Sequence, residues 1–189
     1  MKSVLIAIRP QWCEKIASGE KTIEVRKTAP QEVPFKAYIY CTIGNGVKGD
    51  YLVPSGIQCG KVIGEFICDR IEMVNAKCSD YGIDLFYHDC LTNGCLTERE
   101  IEKYFNIPED RDLRAMKGNG YVWNISDLKI YDKPKELSEF RKPCPYGDLP
   151  CWICPSCDKD ENDNLIQCFN TVSRPPQSWQ YIEDLGEEK

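Results

Sequence analysis

The apolar residues of this chain come in short blocks, each closed by proline, glycine or charge, and blocks of that length favour strands over long helices. Val4-Leu5-Ile6-Ala7-Ile8, stopped by Arg9-Pro10, reads as a short buried strand. Thr22 to Arg26 alternates apolar with polar residues, the period of a half-buried strand. Phe35 to Thr42, rich in Tyr, Ile and Phe, predicts a stronger one. Lys61 to Ile71 predicts one long strand with a bulge at Gly64. Gly120 to Ile125 predicts another, which Leu128 to Tyr131 continues until Lys133-Pro134 breaks it, and Arg174 to Ile182 brings the chain back for a final aromatic strand. Helices are fewer. Pro10 opens one at a position where its missing N–H costs nothing, Trp12, Cys13, Ile16 and Ala17 follow at helical spacing, and Ser18-Gly19 stops it. Leu96 to Phe105 predicts a second, with Thr97 as N-cap and Glu100 completing a capping box, and Glu136 to Phe140 a further turn. Asn45-Gly46 and Lys48-Gly49-Asp50 mark an excursion, and there is no internal repeat. About five or six strands with two or three helices predict an α+β fold, mainly antiparallel, built as a small closed or half-closed barrel.

At 189 residues, 42% apolar and 29% charged, the chain can bury a core, which excludes a disordered chain and a coiled coil. No run reaches the ~18 apolar residues of a membrane span, and the apolar start is too short for a signal peptide, so a cytoplasmic protein without membrane contact is expected. Residues 1–50 carry eight Lys/Arg against five Asp/Glu, whereas the whole chain is at −6. An acidic chain is a poor bulk binder of polyanions, so nucleic acid fits only as a local contact on the N-terminal part. A single histidine, His88, removes Ser-His-Asp chemistry and His-rich metal sites; it reads as a loop or surface residue.

Within that N-terminal part, Ser18 to Arg26 combines a helix end, a glycine turn and a strand on which Thr22, Glu24 and Arg26 share one face, with Lys21 at its entrance. Two cations and a carboxylate so close form either a polar ligand cluster or a solvated face of cross-strand ion pairs. Trp12, Tyr121, Trp123 and Trp179 are candidates for core or for stacking platforms, and Tyr121 and Trp123 alternate onto one face, so both are buried or both face a cleft.

Gly19-x-Lys21-x-x-Glu24-x-Arg26 resembles the G-x-K-x-x-E-x-R signature of ASCH domains, in the PUA-like barrel superfamily. The leading strand, the helix holding Trp12, Gly60 to Phe66 and Gly120 to Trp123 are similar to that family too, over about 1–131, and the tail at 174–183 looks like that of phage and prophage members. The resemblance implies a cleft that binds RNA or a modified nucleoside, lined by Trp12, Lys21, Thr22, Glu24, Arg26, Tyr121 and Trp123. Lys21 and Arg26 would engage phosphate or a base edge, Glu24 would accept from an exocyclic amine, and an aromatic ring would stack a base. It also implies an enzymatic alternative, an amidohydrolase acting on an acetylated cytidine. Those bacterial enzymes carry K-x-x-T-x-R, with the Lys, the Thr and a distant Glu catalytic. Here Glu24 occupies the threonine position and Thr22 has another spacing, so only Lys21 and Glu24 are candidate catalytic groups, Glu24 as a base.

The cysteines fall into two groups. Cys13, Cys41, Cys59, Cys68, Cys78, Cys90 and Cys95 are scattered and read mostly as small buried residues. Cys144, Cys151, Cys154, Cys157 and Cys168 crowd into 25 residues, and Cys154-Pro155-Ser156-Cys157 resembles a zinc-knuckle turn. Four of these five are expected to hold structural zinc, with a redox pair, free thiols or an iron–sulfur cluster as alternatives. The organisation predicted is a barrel of residues 1–140 with 173–185, and a Cys-rich metal-binding insertion at 141–172.

Overall fold

The structure, a computed structural model, describes residues 1–43, 56–107, 113–146, 153–155, 157–162 and 165–185. The excursion expected at Asn45-Gly46 and Lys48-Gly49-Asp50 lies outside the described residues, as does Cys151. The elements in chain order are β1 (Lys2–Ile8), α1 (Pro10–Ala17), β2 (Ile23–Arg26), β3 (Phe35–Cys41), β4 (Val62–Cys68), β5 (Ile71–Asn75), α2 (Asp80–Thr92), α3 (Glu98–Phe105), β6 (Asn119–Asn124), β7 (Ser126–Lys135), β8 (Cys157–Lys159), β9 (Leu165–Cys168) and β10 (Trp179–Ile182). Single turns of tighter helix cover Leu113–Ala115 and Leu137–Glu139. The fold class is α+β, as expected. The strands form sheets of order β10-β1-β3-β4-β7, β2-β6-β5 and β8-β9, and they do not join into a closed barrel. The pairings β1–β10, β2–β6, β5–β6 and β8–β9 are all antiparallel. Among the described residues, no helix is long and apolar enough to cross a membrane.

The chain gathers into two compact units, one from residues 1–10, 37–64 and 131–189, the other from 11–36 and 65–130. In the first, Leu5, Tyr38, Tyr40, Val62, Phe140, Val172 and Ile182 form a buried cluster, with the Tyr38 and Phe140 rings edge to face at 5.0 Å. In the second, α2 and α3 bury Ile83, Phe86, Cys90, Ile101 and Phe105 against Ile23 and Val25 of β2 and Val122 of β6. The capping box of α3 forms as the sequence predicts: Thr97 Oγ1 accepts from the Glu100 N–H while Glu100 Oε2 accepts from the Thr97 N–H.

Three expectations are corrected. Lys61 to Ile71 is two strands in different sheets, because the chain turns at Asp69-Arg70, where Asn124 donates to the Asp69 carboxylate through Nδ2 and to the Arg70 carbonyl through its backbone N–H. Residues 120–131 likewise divide into β6 and β7, separated at Ile125, with Asp127 at the start of β7 at a φ of +47°. Pro134 does not end its strand. β7 runs on to Lys135 because it is the edge strand of its sheet, where a missing N–H forfeits no ladder bond. Helix α2 is an addition that the sequence reading did not assign, although Ser79 caps it by accepting from the Gly82 N–H, and Ile83, Phe86 and Cys90 form its buried stripe.

Gly120 on β6 marks how closely this unit is packed. A Cβ there would stand 2.7 Å from Phe86 Cζ and 3.1 Å from Phe105 Cζ, two rings that are themselves wedged edge to face. Gly120→Ala is therefore expected to lower stability by about 1–3 kcal/mol. Urea unfolding should show a lower midpoint with an unchanged slope.

Candidate functional site

The site begins where α1 ends. Gly19 has φ of +80°, and its N–H is donated back to the Ile16 carbonyl, the left-handed stop that favours glycine. Two residues on, the Lys21 N–H bonds the Lys15 carbonyl, so Lys21 is fixed to the helix it follows. The segment after α2 holds the same stretch from the other side. The Asn93 carbonyl accepts from the Thr22 and Ile23 N–H groups at 3.0 and 3.4 Å, and the Gly94 carbonyl accepts from Lys21 Nζ at 2.8 Å. A cation at the carboxyl end of a helix is favoured by the helix dipole as well as by the bond itself.

From Lys21 the chain enters β2, whose two faces differ. Ile23 and Val25 turn into the apolar cluster under α2 and α3. Glu24 and Arg26 lie on the opposite face, paired in register with Trp123 and Tyr121 of β6. Glu24 joins the charges into a triad: its Oε1 accepts from Arg26 Nη2 at 2.9 Å, and its Oε2 lies 3.5 Å from Lys21 Nζ. The side chains of Lys21, Glu24 and Arg26 are only 2%, 8% and 10% exposed. The sequence alternatives were a ligand cluster or a solvated face of ion pairs; these are ion pairs, but they are buried. Glu24 Oε2 is also buried and accepts no hydrogen bond among the described residues.

Two neighbouring groups stay neutral at pH 7. Burial pushes the Cys90 thiol up to about 12, with the Lys21 ammonium pulling it back only in part, so Cys90 is neutral at pH 7. Burial likewise raises the Tyr104 phenol, against a lowering pull from Arg26 and a smaller raising one from Glu24. The triad itself sets two cations around one carboxylate.

The other sequence candidates are placed unevenly. Trp12 on α1 is half-buried with its ring 5.5 Å from Lys21 Nζ, a cation–π contact. Thr22 is exposed and precedes β2, so it does not share the buried face of Glu24 and Arg26. Tyr121 and Trp123 share a strand face but not a fate. Tyr121 is half-buried, with its hydroxyl accepting from Asn119 Nδ2, while Trp123 is fully buried with its ring edge-on to Phe35 at 5.1 Å. His88 is an exposed residue of α2. Sequence reasoning missed Asn93, Gly94 and Tyr104. Only the Asn93-Gly94 helix stop carried a local signal, and nothing local links it to Lys21. Of the expected metal cysteines, Cys144 and Cys154 are side by side, and Cys157 and Cys168 face each other across β8 and β9.

Removing Glu24 would strip two buried cations of the carboxylate between them, a change that typically costs about 3–5 kcal/mol. Glu24→Ala is expected to lose that much in denaturant unfolding, and Glu24→Gln, which keeps an acceptor for Arg26, markedly less.

Among solved structures, ASCH from Zymomonas mobilis is similar to this chain with a TM-score of 0.55 and 17% identity, over 96% of this chain and 88% of that one. Two single-substitution variants of that protein each give a TM-score of 0.54 at 17% identity, over 97% and 96% of this chain and 91% and 89% of theirs. No protein-family model matches the chain, and no curated protein matches it. The fold is α+β and is shared with ASCH from Zymomonas mobilis.

Proposed function

We propose that this ASCH-fold chain binds a nucleotide unit, free or within a short single-stranded RNA, at Lys21, Glu24 and Arg26. The observation that carries the reading is the buried triad itself. Two cations flank one carboxylate, and Glu24 Oε2 accepts no hydrogen bond among the described residues. An anionic group could approach Lys21 and Arg26, and an amino group on a base would supply the donor that Glu24 Oε2 lacks. Trp12, half-buried and already beside Lys21, offers a ring face for stacking. Burial of the triad supports a small ligand or a splayed-out nucleotide rather than a duplex, whose phosphates need an exposed basic face.

Lys21 and Glu24 also stand where an acetylcytidine amidohydrolase would need an ammonium and a base, 3.5 Å apart. That hydrolytic reading predicts turnover, whereas the binding reading predicts saturation without it. Short single-stranded RNAs and nucleoside monophosphates, titrated by calorimetry, should bind. Arg26→Ala should weaken the binding by about 1–3 kcal/mol if the guanidinium makes a two-pronged contact. A footprint of about one to three phosphates should make affinity fall only modestly with salt. Release of acetate from acetylcytidine, abolished in Lys21→Ala, would favour the hydrolase instead. If neither binding nor turnover is found, Lys21, Glu24 and Arg26 are a structural ion-pair cluster.

A further inference from the structure

Between residues 142 and 170, the only buried hydrophobic residues among those described are Cys154 and Cys168. Tyr146, Ile153 and Phe169 in the same stretch are exposed. The segment nevertheless folds back as the β8–β9 hairpin and returns to an Arg141–Thr171 bridge. What its buried centre contains is sulfur. Cys144 Sγ lies 3.9 Å from Cys154 Sγ. Cys157 and Cys168 are direct partners across the antiparallel hairpin, which puts both side chains on one face. The Cys157 N–H reaches back to the Cys154 carbonyl at 3.3 Å and closes a tight turn between them.

We propose that Cys144, Cys154, Cys157 and Cys168 bind one zinc ion as a closed four-thiolate structural site. Tetrahedral zinc with Zn–S bonds of about 2.3 Å needs sulfurs about 3.8 Å apart. The Cys144–Cys154 separation meets that figure, and it is far longer than the ~2.05 Å of a disulfide. All four are free thiols rather than disulfides. Among the described residues, no group of three or more His, Cys, Asp or Glu already stands where it could hold a metal ion, so binding would draw the four sulfurs together. On binding, four S–H bonds would give up four protons to solvent as four Zn–S bonds form, with no change of oxidation state. The metal would tie the hairpin to the Cys144 and Cys154 segments.

The test uses the full-length chain purified under reducing conditions without added chelator. Elemental analysis should find about one zinc per chain. After metal removal, cobalt(II) should restore a tetrahedral d–d spectrum with thiolate-to-metal charge transfer, saturating at about one equivalent. Cys154→Ser and Cys168→Ser should fall below about a tenth of the wild-type zinc content, whereas Cys95→Ser and Cys151→Ser should retain it. Wild-type protein with neither zinc nor a cobalt thiolate spectrum would overturn the proposal, whatever the variants do. Bound iron, a disulfide among the four, or zinc lost from Cys151→Ser and kept in Cys144→Ser would overturn it equally.

Discussion

Glu24 holds two cations in a place from which water is nearly excluded, and the second unit is arranged to make that tolerable. Burying three charges is costly, and their mutual attraction offsets the cost only when each is held in good geometry and its remaining donors are met. Lys21 is met by the Gly94 carbonyl and the Trp12 ring, and Arg26 Nη2 by Glu24 Oε1, whereas Glu24 Oε2 accepts no hydrogen bond among the described residues. A charge cluster of this kind is less a source of stability than a constraint on register. A shift of β2 by one residue would drive Glu24 and Arg26 into the apolar cluster and put Ile23 and Val25 where the charges now lie.

That constraint passes through β6. Pairing with β2 on one side and β5 on the other, β6 presents Val122 to the helices and Tyr121 and Trp123 to the charged face. Two strand neighbours and a tight fit at Gly120 leave it little freedom, so the triad stands on a rigid element. Preorganisation matters for a binding site, because side chains already held in place lose less entropy when a ligand arrives. Neutral Cys90 fits the same arrangement: a thiolate there would compete with any incoming anion for Lys21.

Twelve cysteines in one chain serve different ends. Cys13, Cys41, Cys59, Cys68 and Cys90 are buried and behave as compact apolar residues; burial pushes Cys68, like Cys90, up to about 12. Sulfur meets sulfur in both groups, Cys41 with Cys59 at 3.5 Å and Cys144 with Cys154 at 3.9 Å. The first pair is enclosed among apolar strands, where cysteine serves as packing material. The second lies in a segment where Cys154 and Cys168 are the only buried hydrophobic residues among those described between 142 and 170.

Local sequence determined the elements whose signals are complete within a few residues. The Gly19 stop, the Thr97–Glu100 capping box and the alternation of Ile23 to Arg26 all appear where the residues indicated, because each depends on backbone geometry and neighbours close in the chain. The mainly antiparallel α+β class was legible for the same reason. Tertiary structure decided the rest. Whether Lys61 to Ile71 is one strand or two depends on Asn124, and whether Pro134 ends a strand depends on β7 lying at an edge. Strand alternation put Tyr121 and Trp123 on one face, but packing against Phe35 made only Trp123 core. Most of all, the sequence put Lys21, Glu24 and Arg26 close together without determining whether water would reach them. That depended on Gly94, 73 residues away from Lys21, because burial is set by what packs over a side chain and not by the residues beside it.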